Sequence, residues 1–180
     1  MTKIHVMSDN LANKIAAGEG VERSSSVVKE LVESAIDAGS SIITIDLING
    51  GLNGITITDN GCGMEHDDAI LSFQRHATSK LLREDDLFFI STLGFRGEAL
   101  PSIASVSEVD LVTCAKTIGT HLHIKGGKLE IDEPADKRVG TRISIKNLFY
   151  NTPARLKYLK SEPTELASCV SYIEKIALSY

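Results

Sequence analysis

Tryptophan is absent from the sequence, and only three cysteines occur among its 180 residues. Cys62, Cys114 and Cys169 are far apart, and no two of them form a Cys-x-x-Cys pair. This spacing argues against a zinc site and a disulfide framework, and it favours a reducing compartment. No apolar run approaches the roughly 18 residues of a membrane span, and residues 1–10 contain no apolar signal segment. We therefore expect a soluble, cytoplasmic protein without a membrane partner.

An excess of basic residues is also absent, because 19 Lys and Arg residues stand against 24 Asp and Glu residues, for a net charge of −5. Any DNA contact therefore needs a local patch, a dimer groove or another domain. The Gly-x-x-x-x-Gly-Lys-Ser/Thr motif is missing too, which excludes a P-loop. With 42% hydrophobic and 24% charged residues, the composition is that of a globular domain with a core.

Two helices are predicted in the N-terminal part of the chain. Residues 8–10, Ser-Asp-Asn, are good caps for a short first helix, and a loop is expected from Gly18 to Ser26. The clearest helix runs from about Ser26 to Ala38, where apolar residues recur at helical spacing. Gly39 is its natural C-terminal cap.

The rest of the chain is mostly strand. A short helix is expected near residues 67–73. Alternating apolar and polar residues predict strands at residues 43–47, 55–57, 109–113, 121–125 and 142–146. A last helix from about Pro163, whose pattern still runs at Tyr180 and suggests a fragment, has an apolar face of Leu166, Val170, Ile173 and Ala177. We expect an α+β two-layer sandwich with a mixed, mostly antiparallel sheet.

Residues 75–103 have little regular pattern, and we interpret most of them as a lid. Within them, Thr78-Ser79-Lys80 is either a solvated turn or a source of hydroxyls and an ammonium for phosphate groups. The run from Gly94 to Leu100 is either an ordinary loop-to-helix turn or an anion site. In the second case, glycines flanking Arg96 expose backbone N–H groups beside a cation at a helix N-terminus.

Glu30, Ser34 and Asp37 form a polar row on the helix predicted at 26–38. Their i, i+4, i+7 spacing places them on one face. Such a row is ordinarily a solvated face. The functional alternative is that Glu30 faces a cleft and polarises an attacking water, which a carboxylate within hydrogen-bond reach can do.

Asp59-Asn60-Gly61-Cys62-Gly63 follows directly after a predicted strand. The segment is either a plain Asp-Asn-Gly turn or part of a binding site. In the second case, the two glycines let the backbone approach a flat ligand, and Asp59 accepts a hydrogen bond from it. The exocyclic amine of adenine suits such an acceptor.

Two other polar sets are interpreted as structural. The five histidines show no metal-ligand spacing, and His121 with His123 on one strand face is typical of surface or satisfied packing. Arg155, Lys157 and Lys160 form a small basic cluster. It is typical of a solvated helix start, although a DNA contact stays open.

Together these segments resemble the GHKL ATPases, which comprise the gyrase, chaperone, histidine-kinase and MutL families, and they resemble MutL most closely. The likeness runs from about residue 4 to the end. The runs Arg-His-Ala-Thr-Ser-Lys at 75–80 and Gly-Phe-Arg-Gly-Glu-Ala-Leu at 94–100 are highly specific to MutL. The other segments that carry it are residues 14–19, residues 27–33, residues 59–64, residues 92–105 and residues 151–155.

The resemblance implies the Bergerat (GHKL) ATP-binding fold over residues 1–180, cut before the family's second domain, with ATP and Mg²⁺ as cofactors. Glu30 matches the general base, Glu30 and Ser34 match the Mg²⁺ ligands, and Asp59 matches the adenine-binding aspartate. The matched ATP-binding residues are Ser34, Asp37, Ala38, Asp59, Gly63, Met64, Thr78, Ser79, Lys80, Leu93, Gly94, Phe95, Arg96, Gly97, Glu98, Ala99, Leu100 and Thr141.

Three positions depart from the MutL pattern. Ser34 stands where the family has an Asn whose oxygen helps to hold Mg²⁺, and Gly20 and Ser24 stand where Val and Pro are usual. Since Ser is shorter than Asn and Mg²⁺ demands tight octahedral geometry, we predict weakened metal binding and slower hydrolysis. Gly20 and Ser24 are expected to loosen a loop that helps to form the dimer contact.

The resemblance also implies a function: a DNA mismatch repair ATPase that orders its lid and forms a homodimer on binding ATP. The dimer couples mismatch recognition by a MutS-type partner to strand incision and contacts DNA. The family's second domain supplies a Lys to the γ-phosphate, so weak hydrolysis is expected from this chain. Ser34 leaves open a degenerate ATP-binding switch with little or no hydrolysis. A histidine-kinase-type phosphotransferase is disfavoured by the MutL-like lid sequence.

Overall fold

The structure is a computed structural model that describes residues 5–80, 92–94 and 97–180. Its strands are β1 Ile43–Ile48, β2 Gly54–Asp59, β3 Glu108–Cys114, β4 Gly119–Lys125, β5 Lys128–Ala135 and β6 Gly140–Lys146. They form one open sheet in the order β1-β2-β6-β3-β4-β5. Every pairing of these strands is antiparallel, so the parallel component of the expected mixed sheet does not occur among the described residues.

Helices form the second layer. They are α1 Asp9–Gly20, α2 Ser24–Asp37, α3 His66–Leu71, α4 Ala99–Ser105, α5 Pro153–Leu156 and α6 Glu162–Ala177. A short 3₁₀ turn at Asn49–Gly51 joins β1 to β2. The element order and the two layers confirm the predicted α+β class.

The core lies between α2 and the sheet. The predicted apolar stripe of α2 is buried, with Val27 and Val28 fully enclosed. It meets the sheet face that carries Ile57 and Ile143, which are paired across β2 and β6. Burying side chains of this size contributes about 1.5–3 kcal/mol each, so this contact is a main source of stability.

The strand register places polar groups at one end of this apolar face. Because side chains alternate along a strand, Ile55, Ile57 and Asp59 of β2 share the buried face. Asp59 is paired with Thr141 of β6, and Thr141 is paired with Thr113 of β3. The apolar face therefore ends in a polar patch.

The predicted loop from Gly18 to Ser26 is wrong. α1 continues to Gly20, and α2 begins at Ser24, so only residues 21–23 connect the two helices. Ala17 and Val21 are buried in the core, and this packing outweighs the low helix propensity of glycine. Gly20 and Ser24 therefore lie at helix ends and not inside a long loop.

The lid prediction for residues 75–103 is wrong at its C-terminal end. Residues 99–105 form α4, and Ile103 and Ala104 are enclosed by the core. Pro101 is tolerated because it lies in the first helical turn, where no intrahelical N–H bond is lost. Residues 81–91, which also belong to the predicted lid, lie outside the described residues.

Strand β5 was not predicted. It is an edge strand paired only with β4 among the described strands, and nearly all of its residues are exposed. Without a buried face there is no alternating apolar pattern to detect, and Pro134 argues against a strand except at an edge.

The predicted apolar face of α6 is wrong in part: Ile173 packs against the core as predicted, but Leu166 and Val170 are exposed. The helix instead buries Glu165 and Cys169. Arg23 forms a bidentate ion pair with Glu165, with Nη2–Oε1 and Nε–Oε2 distances of 3.1 and 3.3 Å. A carboxylate is buried only when it is paired, so this ion pair sets the rotation of α6.

The predictions from composition can be checked in the same structure. All three cysteines are free. Burial raises the pKa of the Cys169 thiol to about 11, which keeps it protonated and unreactive at neutral pH. Among the described helices, none is both long enough and apolar enough to span a membrane.

Ser24 occupies a position that suits proline. It is the first residue of α2, it is fully buried, and its hydroxyl has no hydrogen-bond partner among the described residues. Arg23 has extended backbone angles of φ −160° and ψ 175°, as a residue before proline requires. Proline is also favoured at the first helical position, where its missing N–H costs nothing.

Replacing Ser24 with Pro is expected to raise the free energy of unfolding by about 1 kcal/mol. The change removes an unpaired buried hydroxyl and restricts the unfolded chain. Urea denaturation measures the effect. Ser26→Pro is the control and should destabilise, because the Ser26 N–H donates to the Arg23 carbonyl at 3.0 Å. A Ser24→Pro variant no more stable than the parent would contradict this account.

Candidate functional site

The polar row of α2 follows one side of the helix, as predicted. Glu30 is half-buried, Ser34 is exposed, and the side chain of Asp37 is only 6% exposed. At 1.5 Å of rise per residue, Glu30 lies about 10 Å along the helix axis from Asp37. The row is therefore not a uniformly solvated face, because its C-terminal member is enclosed.

Asp59 ends β2 in a tightly hydrogen-bonded turn. Its Oδ1 accepts the Gly61 N–H at 2.8 Å and the Ser40 hydroxyl at 3.2 Å. The Cys62 N–H donates to the Ala38 carbonyl at 3.0 Å, which attaches the turn to the end of α2. Asp59 is buried, so the segment is more than a solvated Asp-Asn-Gly turn.

Two glycines of this turn are required by close packing. A Cβ at Gly61 would lie 2.8 Å from the Ala38 carbonyl oxygen. Gly63 has φ +65°, and a Cβ there would lie 2.1 Å from the Cys114 carbonyl oxygen. Any side chain at either position would push the turn away from α2 or β3. The glycines therefore fix where Asp59 lies.

Threonine hydroxyls line the other side of the turn. Thr113 Oγ1 accepts the Met64 N–H at 3.0 Å and lies 3.0 Å from Thr141 Oγ1. Thr141 was predicted as a site residue, whereas Thr113 and Ser40 were not. The signal for Thr113 is its pairing with Thr141 across β3 and β6, which depends on register and is not readable from local sequence.

A cleft of about 610 Å³ opens at this end of the sheet. Asp59, Gly140 and Thr141 line it, together with residues of β5, residues of the connection between β5 and β6, and Val112, His121 and Arg142 of β3, β4 and β6. Glu30, Ser34, Lys80 and Gly94 do not line it. The cleft is therefore one part of the predicted site and does not include the polar row of α2.

Asp37 connects the end of α2 to Lys80, Leu93 and Gly94, which belong to the predicted lid. Its Oδ1 accepts the Leu93 N–H and its Oδ2 accepts the Gly94 N–H, each at 3.0 Å, and Lys80 Nζ donates to Oδ2. Burial opposes ionisation of this carboxyl, but the hydrogen bonds from Lys80, Gly94 and Leu93 outweigh it and lower the pKa of Asp37 below its usual value. Asp37 is therefore charged in this arrangement.

The two MutL-like runs lie side by side. The His76 N–H donates to the Gly97 carbonyl at 3.1 Å, and Arg75 pairs with Glu98 at 3.3 Å. Thr78 Oγ1 accepts the Lys80 N–H.

The remaining predicted lid residues divide into three groups. Ser79 is exposed. Ala99 and Leu100 belong to α4, and Leu100 packs against the core. Phe95 and Arg96 lie outside the described residues.

His121 and His123 have carboxylate partners, as their structural interpretation predicted. His121 Nδ1 lies 2.8 Å from Glu133, and His123 Nδ1 lies 2.9 Å from Asp110. Asp110 also lies 3.4 Å from His121 Nε2. Among the described residues, no group of three or more His, Cys, Asp or Glu side chains is arranged to hold a metal ion.

The three residues of the predicted basic cluster, Arg155, Lys157 and Lys160, differ in burial. The Arg155 guanidinium lies over the Phe149 ring at 5.9 Å from its centroid, and its Nη1 is buried. Lys157 and Lys160 are exposed. Arg155 is therefore a packed residue and not part of a solvated helix start.

Residues 22–147 match a protein family described as histidine kinase-, DNA gyrase B- and HSP90-like ATPases. Over its whole length, the chain is 58% identical to the DNA mismatch repair protein MutL of Geobacillus thermodenitrificans. It is 56% identical to the MutL of Streptococcus thermophilus. The chain spans 28% of the length of each of these two relatives.

Solved structures show the same likeness. An Aquifex aeolicus MutL ATPase domain complexed with ADP matches with a TM-score of 0.66 and 28% identity, over 88% of this chain and 56% of that one. The N-terminal domain of a DNA repair protein matches with a TM-score of 0.76 and 28% identity, over 90% of this chain and 47% of that one. These matches confirm the family resemblance that the motifs indicated and its α+β fold.

The histidine–carboxylate contacts predict a pH dependence of stability. The hydrogen bond to Glu133 is the largest influence on His121, and despite partial burial it raises the pKa of His121 above its usual value. A raised folded-state pKa means that the pairing stabilises the fold fully below about pH 6.5 and less as the pH rises through the folded-state pKa.

His121→Gln should therefore reduce the fall in unfolding free energy between about pH 6 and pH 8. Denaturation at both pH values measures it, with exposed His5→Gln as the control. An equal pH dependence in the parent and His121→Gln would refute the role given to His121.

Proposed function

The chain belongs to the family of histidine kinase-, DNA gyrase B- and HSP90-like ATPases, and we propose that it binds ATP with Mg²⁺ and hydrolyses it in DNA mismatch repair. The observation that carries the proposal is Asp59, a buried carboxylate that lines a cleft and is held by the Gly61 N–H and the Ser40 hydroxyl. The similarity to MutL proteins over the full chain supports the repair context.

The adenine end of the site follows from the contacts of Asp59. Its Oδ1 is occupied by Gly61 and Ser40, whereas its Oδ2 has no hydrogen-bond donor among the described residues. An amine donor placed in the cleft satisfies this second oxygen. Thr141 lies beside Asp59 in the sheet and offers a hydroxyl that donates or accepts. Adenine presents an amine next to a ring nitrogen, which suits this pair.

The phosphate end lies at the lid segments. The Leu93 and Gly94 N–H groups and the Lys80 ammonium all point to the carboxylate of Asp37. Consecutive backbone N–H groups beside a cation are a typical phosphate site. Both ends are attached to the C-terminus of α2, through Asp37 and through the Ala38 carbonyl. One nucleotide can therefore contact both.

Glu30 and Ser34 suit Mg²⁺ by the chemistry of their donor atoms. A carboxylate and a hydroxyl are hard oxygen ligands, and Mg²⁺ completes its shell with water and phosphate oxygens. When bound, the metal supplies charge neutralisation at the phosphates. Glu30 then acts as the general base that orients and deprotonates the attacking water.

Ser34 favours a second candidate, an ATP-binding switch with little or no hydrolysis. Its hydroxyl is on an exposed part of α2 and reaches less far than the Asn of the MutL pattern. Weaker metal binding lowers turnover and leaves the contacts of Asp59 with adenine intact. The two candidates therefore share binding and differ in turnover.

Partners are proposed from the MutL relatives. We expect a cytoplasmic protein that forms a homodimer with ATP, acts with a MutS-type mismatch-recognition protein and contacts DNA through the full-length dimer. The N-terminal segment supports the dimer, because Val6, Leu11 and Ile15 expose apolar side chains that a second copy would cover. The rest of the full-length protein is expected to raise the hydrolysis rate.

Asp59→Asn should weaken ATP binding by about 10- to 100-fold, because the amide NH₂ then faces the adenine amine and two donors meet. Calorimetry with ATP measures the loss, and Asp46→Asn, an exposed change on β1, should leave affinity unchanged. Inosine triphosphate, which carries a carbonyl in place of the amine, should bind Asp59→Asn no more weakly than the parent. Equal loss for both nucleotides would refute an amine contact.

Glu30→Ala should spare ATP binding and lower phosphate release by about 100-fold or more. Ser34→Asn separates the two candidates, since a large rise in Mg²⁺-dependent phosphate release would identify the parent as the degenerate switch. A parent rate that Ser34→Asn does not change would favour the ATPase. Hydrolysis by Glu30→Ala at the parent rate would show that Glu30 is not the base.

A further inference from the structure

Asp37 is the most enclosed member of the polar row Glu30, Ser34 and Asp37 on α2, and its charge is compensated by Lys80, Leu93 and Gly94. Its side chain is 6% exposed. Three donors surround its two oxygens, the N–H groups of Leu93 and Gly94 and the ammonium of Lys80. An ionised carboxylate in such a place is stable only while these donors remain.

These donors are also the ones that suit a phosphate group. Two consecutive backbone N–H groups and an ammonium form a concave set of positive ends around one anion. Charge-assisted hydrogen bonds of this kind are strong for carboxylate and phosphate alike. The carboxylate of Asp37 therefore meets the same kind of donor set that would suit two oxygens of a phosphate.

We propose that Asp37 is an internal anion that holds Lys80, Leu93 and Gly94 when nucleotide is absent, and that a nucleotide phosphate takes these donors from it. The proposal rests on the proposed ATP binding. It replaces the expectation that Asp37 contacts the nucleotide directly. Asp37 acts on affinity through competition, and the Asp37 contacts constitute an autoinhibitory latch.

Charge and space both support an exchange. Two anions at one donor set repel each other, so a phosphate and the Asp37 carboxylate cannot share it at low cost. Gly94 adds no side chain beside the donors, where a Cβ would lie 3.8 Å from Asp37 Oδ2 and 3.8 Å from Lys80 Nζ. The released carboxylate lies at the end of α2, one turn from exposed Ser34, where water can solvate it.

The latch also connects the two ends of the site. Asp37 is followed by Ala38, whose carbonyl accepts the Cys62 N–H of the turn after Asp59. Movement of Asp37 out of its donor set therefore acts on a residue that is bonded to the adenine end. A ligand with phosphates must release the latch, whereas a ligand without phosphates need not.

Calorimetry on Asp37→Asn tests this with three ligands, namely ATP, inorganic tripolyphosphate and adenosine. The amide is a weaker acceptor and turns an NH₂ group toward the donors. We expect ATP and tripolyphosphate to bind roughly tenfold more tightly than to the parent, and adenosine to bind equally. Glu33→Gln is the matched control. It removes one negative charge on the same helix, where Glu33 accepts the Tyr172 hydroxyl and contacts no lid residue in the described structure.

Hydrogen exchange measured by NMR provides a second readout. Without nucleotide, the Leu93 and Gly94 amides should be protected in the parent and exchange faster in Asp37→Asn, with tripolyphosphate restoring protection in the variant. Weaker ATP binding by Asp37→Asn would overturn the latch, because Asp37 would then hold the donors in place for the nucleotide. Unchanged binding would also overturn it, because Asp37 would then have no effect on the donors. An equal gain of ATP affinity in Glu33→Gln would show that the effect comes from the loss of one negative charge and not from the Asp37 contacts.

Calorimetry gives a different result if the proposed ATP binding is wrong. If neither ATP nor adenosine binds the parent or Asp37→Asn, ATP binding is refuted. Tripolyphosphate binding and hydrogen exchange at Leu93 and Gly94 then still test whether Asp37 competes for the donors.

Discussion

The C-terminal turn of α2 is the constraint on which the rest of the site depends. Asp37 holds the groups beside the lid, and the Ala38 carbonyl holds the turn that carries Asp59. Gly39 ends the helix in the left-handed conformation, at φ +73°, and directs the chain to Ser40, which donates to Asp59. Four consecutive residues thus set the distance between the two halves of the site. The buried stripe anchors the backbone of α2, so these residues take their positions from the packing of the core.

Strand register is the second constraint. Asp59 lies on the buried face because Ile55 and Ile57 precede it at a spacing of two. Thr141 lies beside Asp59, and Thr113 beside Thr141, because β6 and β3 pair in the observed register. A slip of one residue moves every side chain to the opposite face. The isoleucines that stabilise the fold therefore also place the carboxylate. Stability and the position of Asp59 depend on the same register in this sheet. The polar outer face has its own stabilising contacts, those of His121 and His123 with Glu133 and Asp110.

Local pattern predicted the parts of the molecule that have a buried stripe. The periodicity of residues 26–38 identified α2 and its polar row, and alternation around residues 49–51 identified the β1–β2 hairpin. Prediction failed where tertiary contacts override the local pattern. Strand β5 is exposed and lacks a buried face, the rotation of α6 follows from the Arg23–Glu165 ion pair, and α1 persists through Gly20 because Ala17 and Val21 pack. The family resemblance identified Asp59 and Thr141, but the contacts of Asp37, Ser40 and Thr113 join residues distant in sequence, and no local signal reports them.

The proposed binding and the proposed hydrolysis depend on different parts of this structure. The proposed adenine end is fixed by glycines without room for a side chain, by a buried carboxylate and by paired strands. The proposed catalytic groups, Glu30 and Ser34, lie on the partly solvated side of one helix, where a change of one side chain leaves the core intact. On the proposed function, Ser34 alters metal binding and turnover at no cost to the fold. In this chain, the residues proposed to bind are also structural, and the residues proposed to react are not.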